Sequence, residues 1–151
     1  VEKAREFLET LDLTDMEPTG SLRDDNTVTI TFVPKLGEVL LYPDYIKAQV
    51  ALDNGDIVGL DTVAYRTFHA QRNIPEAKIS EEEALETLKE DLKISRVRQA
   101  LIPTPGLGEK LCYEVDAAIE EERFFIYINM ETGREQDILK IVETDRGTMT
   151  M

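Results

Sequence analysis

The chain holds 151 residues, 42% of them hydrophobic and 32% charged, which is enough apolar mass for a packed core and excludes wholesale disorder. Thirty-one acidic side chains against seventeen basic ones leave a formal charge of −14. That sign excludes a phosphate-neutralising surface, so no nucleic acid is expected as a partner, and direct adsorption to an anionic lipid surface is disfavoured. No run of about 18 apolar residues is present to span a bilayer.

The chain opens mid-helix with no initiator Met, so it reads as a fragment with room for a signal or anchor upstream. Ala4, Leu8 and Leu11, with Phe7 beside them, make one apolar stripe of a first helix. Thr27 to Phe32 then alternates with period two, placing Val28, Ile30 and Phe32 on one face and the threonines on the other. Pro34 limits ladder donation where that strand is expected to stop. Further strands are predicted over Gly37–Tyr42, Tyr45–Leu52 and Asp56–Val63. Asp53-Asn54-Gly55 joins the last two, and Asn-Gly predicts a tight hairpin with two residues at positive φ. Ala70 to Ile79 is polar, contains Pro75 and reads as a linker. Ser80-Glu81-Glu82-Glu83 opens a second helix with a capping box and an acidic first turn, and Ala84, Leu85, Leu88 and Leu92 form its buried face. Strands over Phe124–Met130 and Gln136–Val142 flank Glu131-Thr132-Gly133, where a single Gly predicts a longer turn. The tail from Thr144 to Met151 lacks core spacing and is expected to fray.

The pattern repeats. Leu8-Glu9-Thr10-Leu11 recurs as Leu85-Glu86-Thr87-Leu88, and Leu36-Gly37-Glu38 as Leu107-Gly108-Glu109. Leu40 and Tyr42 match Leu111 and Tyr113, and Val50 to Gly55 matches Ile128 to Gly133. Four matches in one order argue for duplication, with repeats over residues 1–72 and 73–151. The expected fold class is α+β: two tandem units, each a helix packed on a small antiparallel sheet of about four strands. Open sheet edges leave room for pairing with a second copy or with another protein.

No catalytic, cofactor-binding or metal-binding residue is assigned, and no cofactor is expected. Cys112 and His69 are the single residues of their kinds, so a nucleophile–base pair or a zinc site would have to use them. His69 reads as a surface or linker residue, and Cys112, between Leu111 and Tyr113, as a small buried hydrophobe. Asp24-Asp25, Glu81 to Glu83 and Glu120 to Glu122 read as solvated surface. Asp53-Asn54-Gly55-Asp56 lacks the Glu that a calcium loop needs at its twelfth position, where Ala64 stands. Gly106-Leu107-Gly108 is followed by no Lys-Ser or Lys-Thr at phosphate-loop spacing. Phe124 and Phe125 are adjacent, so in a strand they face opposite sides and one is a candidate for outward contact.

A helix-plus-sheet unit ending strand–(Asp/Glu)-x-Gly–strand resembles the PepSY domain family. The stretches that carry the resemblance are Ala48 to Gly59 and Phe125 to Glu135, supported by the capped helix from Ser80. Residues 1–143 as a tandem also resemble the C-terminal part of a family of spore germination proteins; Tyr65 to His69, Arg72 and Ile74-Pro75 share in this. The resemblance implies a non-enzymatic protein that binds, stabilises or restrains a spore-cortex-lytic enzyme of the SleB type during cortex hydrolysis at germination. It implies an extracytoplasmic place near the spore inner membrane and cortex, with membrane attachment only through an N-terminal anchor missing from this chain. It also implies a rival, since PepSY units occur in propeptides of metalloproteases: a protease-inhibitor module of the cell envelope.

Overall fold

The structure is a computed structural model that describes residues 1–106 and 108–151. Its backbone divides into two compact units, Val1–Ala70 with Glu143–Met149, and Gln71–Val142 with Thr150–Met151.

The first unit opens with α1 (Glu2–Thr10). Ala4 and Leu8 are fully buried, as the stripe predicts. Leu11 lies beyond the helix end and is exposed, and Leu13 packs on the core instead. Three strands follow: β1 (Met16–Asp24), β2 (Thr27–Leu36) and the short β3 (Val39–Leu41). A 3-10 turn over Tyr42–Asp44 leads to β4 (Ile46–Ala51), β5 (Ile57–Asp61) and α2 (Val63–Phe68). The strands are antiparallel, with β2 between β1 and β4, β5 beside β4, and β3 on the far end of β2. Ile30, Phe32, Ile46, Ala48 and Val50 alternate along β2 and β4 and share a core with Ala4 and Leu8 of α1 and Met16 of β1. The threonines of β2 take the opposite face, where Gln49 donates to Thr27 Oγ1 at 3.2 Å. β2 runs past Pro34 to Leu36, and Pro34 pairs with Met16.

The second unit opens with α3 (Glu81–Glu86), capped by Ser80, whose Oγ accepts from the Glu83 amide at 3.1 Å. This helix is much shorter than the apolar spacing through Leu92 predicts. Thr87 ends it by turning its hydroxyl back to the Ala84 carbonyl at 2.7 Å, and only Ala84 of the predicted face is fully buried. An antiparallel meander follows: β6 (Lys93–Thr104), β7 (Gly108–Ile119), β8 (Glu122–Asn129) and β9 (Glu135–Thr144). Leu107, one of the residues in the repeat comparison, lies outside the described residues. Last comes β10 (Gly147–Thr150), so the tail is a strand rather than a frayed end; Leu22 of β1 pairs with Gly147.

The fold is thus mostly strand with few helices. Small sheets of about four strands do not describe it. Ten strands stand among the described residues, β3 and β10 join β1, β2, β4 and β5 on the first side, and β6 and β7 run twelve residues each. Sequence reasoning missed β1, whose Pro18 and Gly20 break the strand pattern and coincide with a bulge. It also missed β6, because the helix pattern was carried through to its start.

The two equivalent turns are built alike. The Gly55 amide donates to the Ala51 carbonyl and the Ala51 amide to the Asp56 carbonyl, each at 2.8 Å. The Gly133 amide donates to Asn129 and the Asn129 amide to Arg134, again at 2.8 Å. Within these turns positive φ falls on Gly55 (78°) and Gly133 (72°) alone, so the longer turn expected at Gly133 is present, and the two-residue Asn-Gly turn expected at Asn54-Gly55 gives way to the same form. Asn54 instead receives the Asp56 amide on its side-chain oxygen at 2.9 Å.

Candidate functional site

The first unit ends laterally on β5, which pairs with β4 and terminates the strand order. An edge strand offers a row of backbone donors and acceptors to any extended chain that approaches it. Along this edge Val58 is 57% exposed, Leu60 37% and Val63, just beyond, 71%. Leu52 and Phe68 are exposed nearby in sequence. Residues 52–63 carry Asp53, Asp56 and Asp61 and no lysine or arginine. Exposed apolar side chains beside an open strand edge are features suited to receiving another polypeptide.

α2 is tied to the 3-10 turn by a half-buried contact between Asp44 and His69, the residue that follows the helix. Asp44 is fully buried, and its Oδ2 lies 2.7 Å from His69 Nδ1. The Tyr65 ring stacks on the His69 ring, centroids 4.3 Å apart. His69 is exposed, as expected of a surface residue, yet it also serves a buried carboxylate. Sequence reading missed Asp44, because Tyr-Pro-Asp-Tyr looks like an ordinary solvated turn.

The second unit holds a polar row across three strands. Arg98, Glu114 and Tyr127 are register partners on β6, β7 and β8. Arg98 donates to Glu114 Oε1 from Nε (3.0 Å) and Nη2 (2.7 Å), and the Tyr127 hydroxyl donates to Glu114 Oε2 at 2.8 Å. Arg123 pairs with Asp116 at 3.0 Å. Glu114 and Asp116 are 2% and 6% exposed, so these two acids are not the solvated surface that the composition suggests. Their alternation with Val115 and Ala117 reads as a half-exposed strand, whereas β7 is buried on both faces.

Cys112 is fully buried beside them, and burial, with the charge of Asp137 second and Lys110 opposing, pushes its thiol up to about 12. It stays a protonated, unreactive hydrophobe. The Tyr113 phenol is raised above its ordinary value by burial and then by Glu81 and Glu83; it donates to the Ile79 carbonyl at 2.8 Å. A shallow groove of about 280 Å³ lies between the linker, β7 and the β8–β9 turn, with Leu111 and Met130 in its wall. Two of its carboxylates are engaged: Arg72 forks onto Glu109 (2.8 and 3.1 Å), and Lys78 meets Glu131 at 3.2 Å.

The acidic runs are exposed, and Asp24 pairs with Arg146 at 2.5 Å. Phe124 and Phe125 are both half-buried, so neither is a free contact residue. Among the described residues no three His, Cys, Asp or Glu side chains are grouped to hold a metal ion, and no helix is long and apolar enough to cross a membrane.

Comparison with known proteins places this architecture. Residues 1–75 match the family described as "YpeB sporulation, PepSY1 and PepSY2 domains", and residues 78–139 match "Peptidase propeptide and YPEB domain". The sporulation protein YpeB of Halalkalibacterium halodurans is 38% identical over 95% of this chain, and that of Bacillus subtilis 35% over 84%. The chain spans about a third of the length of these relatives, 32% and 28% respectively. Among solved structures, the Bacillus megaterium YpeB C-terminal domain is similar with a TM-score of 0.83 at 32% identity, over 92% of this chain and 62% of that one. The order of elements, the paired Gly turns and these matches lead to one conclusion: the chain is built of tandem PepSY domains and belongs to the YpeB family of sporulation proteins.

Proposed function

We propose that this chain is a non-enzymatic interaction module of spore germination, with repeats over residues 1–72 and 73–151, that binds and stabilises or restrains a spore-cortex-lytic enzyme of the SleB type. It works outside the cytoplasm, near the spore inner membrane and cortex, as the soluble part of a membrane-anchored protein. The observation that carries the reading is the outer edge of β5, a strand that pairs with β4 alone and exposes Val58 and Leu60. Such an edge gives affinity through main-chain hydrogen bonds and selectivity through alternate side chains. The charge of −14 speeds encounter with a cationic partner and makes it salt-sensitive. The supporting result is co-purification with the lytic enzyme and a titration that weakens at the higher of two ionic strengths. Absence of binding at both strengths overturns the assignment for this chain.

A second reading is favoured by the family description of residues 78–139, which names peptidase propeptides. On that reading the module inhibits a protease of the cell envelope. An inhibition assay separates the two: a fall in peptide hydrolysis with no change in cortex lysis supports the protease, and the reverse supports the lytic enzyme.

A further inference from the structure

We propose that β5 is the seat of an extended segment, alternately basic and apolar, that a partner protein adds as an outer strand. The inference rests on the reading of the chain as an interaction module and names the chemistry of what the module holds.

Native edges are commonly blunted by lysine, proline or a covering element. β5 has neither Lys nor Pro; its sequence is Ile57-Val58-Gly59-Leu60-Asp61, with one bulge against β4 between Gln49 and Val50. Leu60 sits opposite Ala48, which belongs to the buried core, so it lies on the face that the core occupies yet stays 37% exposed. A strand added outside β5 extends that face and covers Leu60 with its own apolar residues.

Charge selects the occupant. The three aspartates of residues 52–63 meet no cation within that segment, and residues 1–70 carry thirteen acidic side chains against six basic. Lys3 and Lys47 are cations brought to this edge, and both are engaged. Lys3 Nζ donates to the Asn54 carbonyl at 2.9 Å, and Lys47, the register partner of Asp61, stands over the Tyr45 ring at 5.3 Å. A second copy of this chain would bring two sets of these aspartates together, and an acidic peptide would meet the same repulsion. A segment whose alternate lysines or arginines reach the aspartates is attracted.

The test titrates the 151-residue chain with a short peptide alternating lysine and valine. Controls are its glutamate–valine counterpart and a lysine–valine peptide with alternate backbone amides methylated. Expected are slowed amide exchange along residues 57–61, binding that weakens by about tenfold or more when salt is raised well past the level at which surface charges are screened, and no binding by either control. Val58→Lys abolishes binding. Asp53→Asn, on an exposed turn, weakens it several-fold without touching the core, and so serves if the first variant folds poorly. Equal binding of the glutamate peptide, perturbations outside residues 52–63, or self-association through β5 overturns the inference. If the lysine peptide fails while the chain still holds the lytic enzyme, the β5 seat is wrong and the module reading stands. Failure of both removes both.

Discussion

Replacing Arg98 by Met keeps the aliphatic stem and removes the guanidinium that forks onto Glu114. The carboxylate it leaves is 2% exposed in the middle of β7. Removing one member of a buried ion pair costs about 3–5 kcal/mol, because the remaining charge has lost both water and counter-charge. Domains of this size are stable by about 5–15 kcal/mol, so the single change removes about a fifth or more of the margin. Glu114→Gln is milder, at about 1–3 kcal/mol, since the amide keeps the shape and an acceptor for Tyr127. Arg98→Met with Glu114→Leu removes both charges together and is expected to cost far less than the sum of the singles, because an apolar pair needs no desolvation of ions. The assay is urea unfolding of the parent chain, the three singles Arg98→Met, Glu114→Gln and Glu114→Leu, and the double variant, read by circular dichroism and by exchange of β7 amides, which assigns the loss to the second unit. A cost below about 1 kcal/mol for Arg98→Met, the value for an exposed pair, refutes the account, as do strictly additive costs.

Three further outcomes follow from the coordinates. Cys112 resists alkylation at mildly alkaline pH until the chain is denatured; the folded thiol ionises at about 12 and the unfolded one near 9.0, so the folded state holds an extra proton between these values and stability falls as pH rises through that window, a slope that Cys112→Ala reduces. His69→Ala removes the Nδ1 contact to the buried Asp44 and destabilises the first unit by about 1–3 kcal/mol, with α2 exchanging its amides first. Gly147→Ala detaches β10 from β1, because φ there is 138° and an added methyl would run into the Ser21 carbonyl; exchange of the Arg23 amide reads this.

Alternation made the core of the first unit readable, since Ile30 and Phe32 on β2 and Ala48 and Val50 on β4 follow strict period two around an amphipathic α1. The Ser80 cap and the two Gly turns were equally local signals, although Asn54 showed that a dipeptide preference yields to the hydrogen bonding of its neighbours. The strands that escaped were those whose identity depends on distant partners. β10 is a strand because β1 accepts it, and nothing in Gly-Thr-Met-Thr announces that. Buried acids escaped for the same reason: Glu114 is tolerable only because Arg98 and Tyr127 stand opposite it across two ladders. The β5 edge was visible as a strand, but that it lacks a neighbour is a property of topology, which a sequence does not display.

Residues 143–149 belong with the first unit, and Arg146 reaches Arg23 and Asp24 across more than a hundred and twenty positions of chain. During synthesis β1 is made more than a hundred positions before residues 143–149, so it waits for them before it gains β10 as a neighbour. Closure over so long a span is slow, and the nascent chain meanwhile carries an uncovered strand. Deleting residues 147–151 from this chain should thus be felt more than a hundred positions upstream, as early loss of the β1–β2 hairpin in a protease ladder.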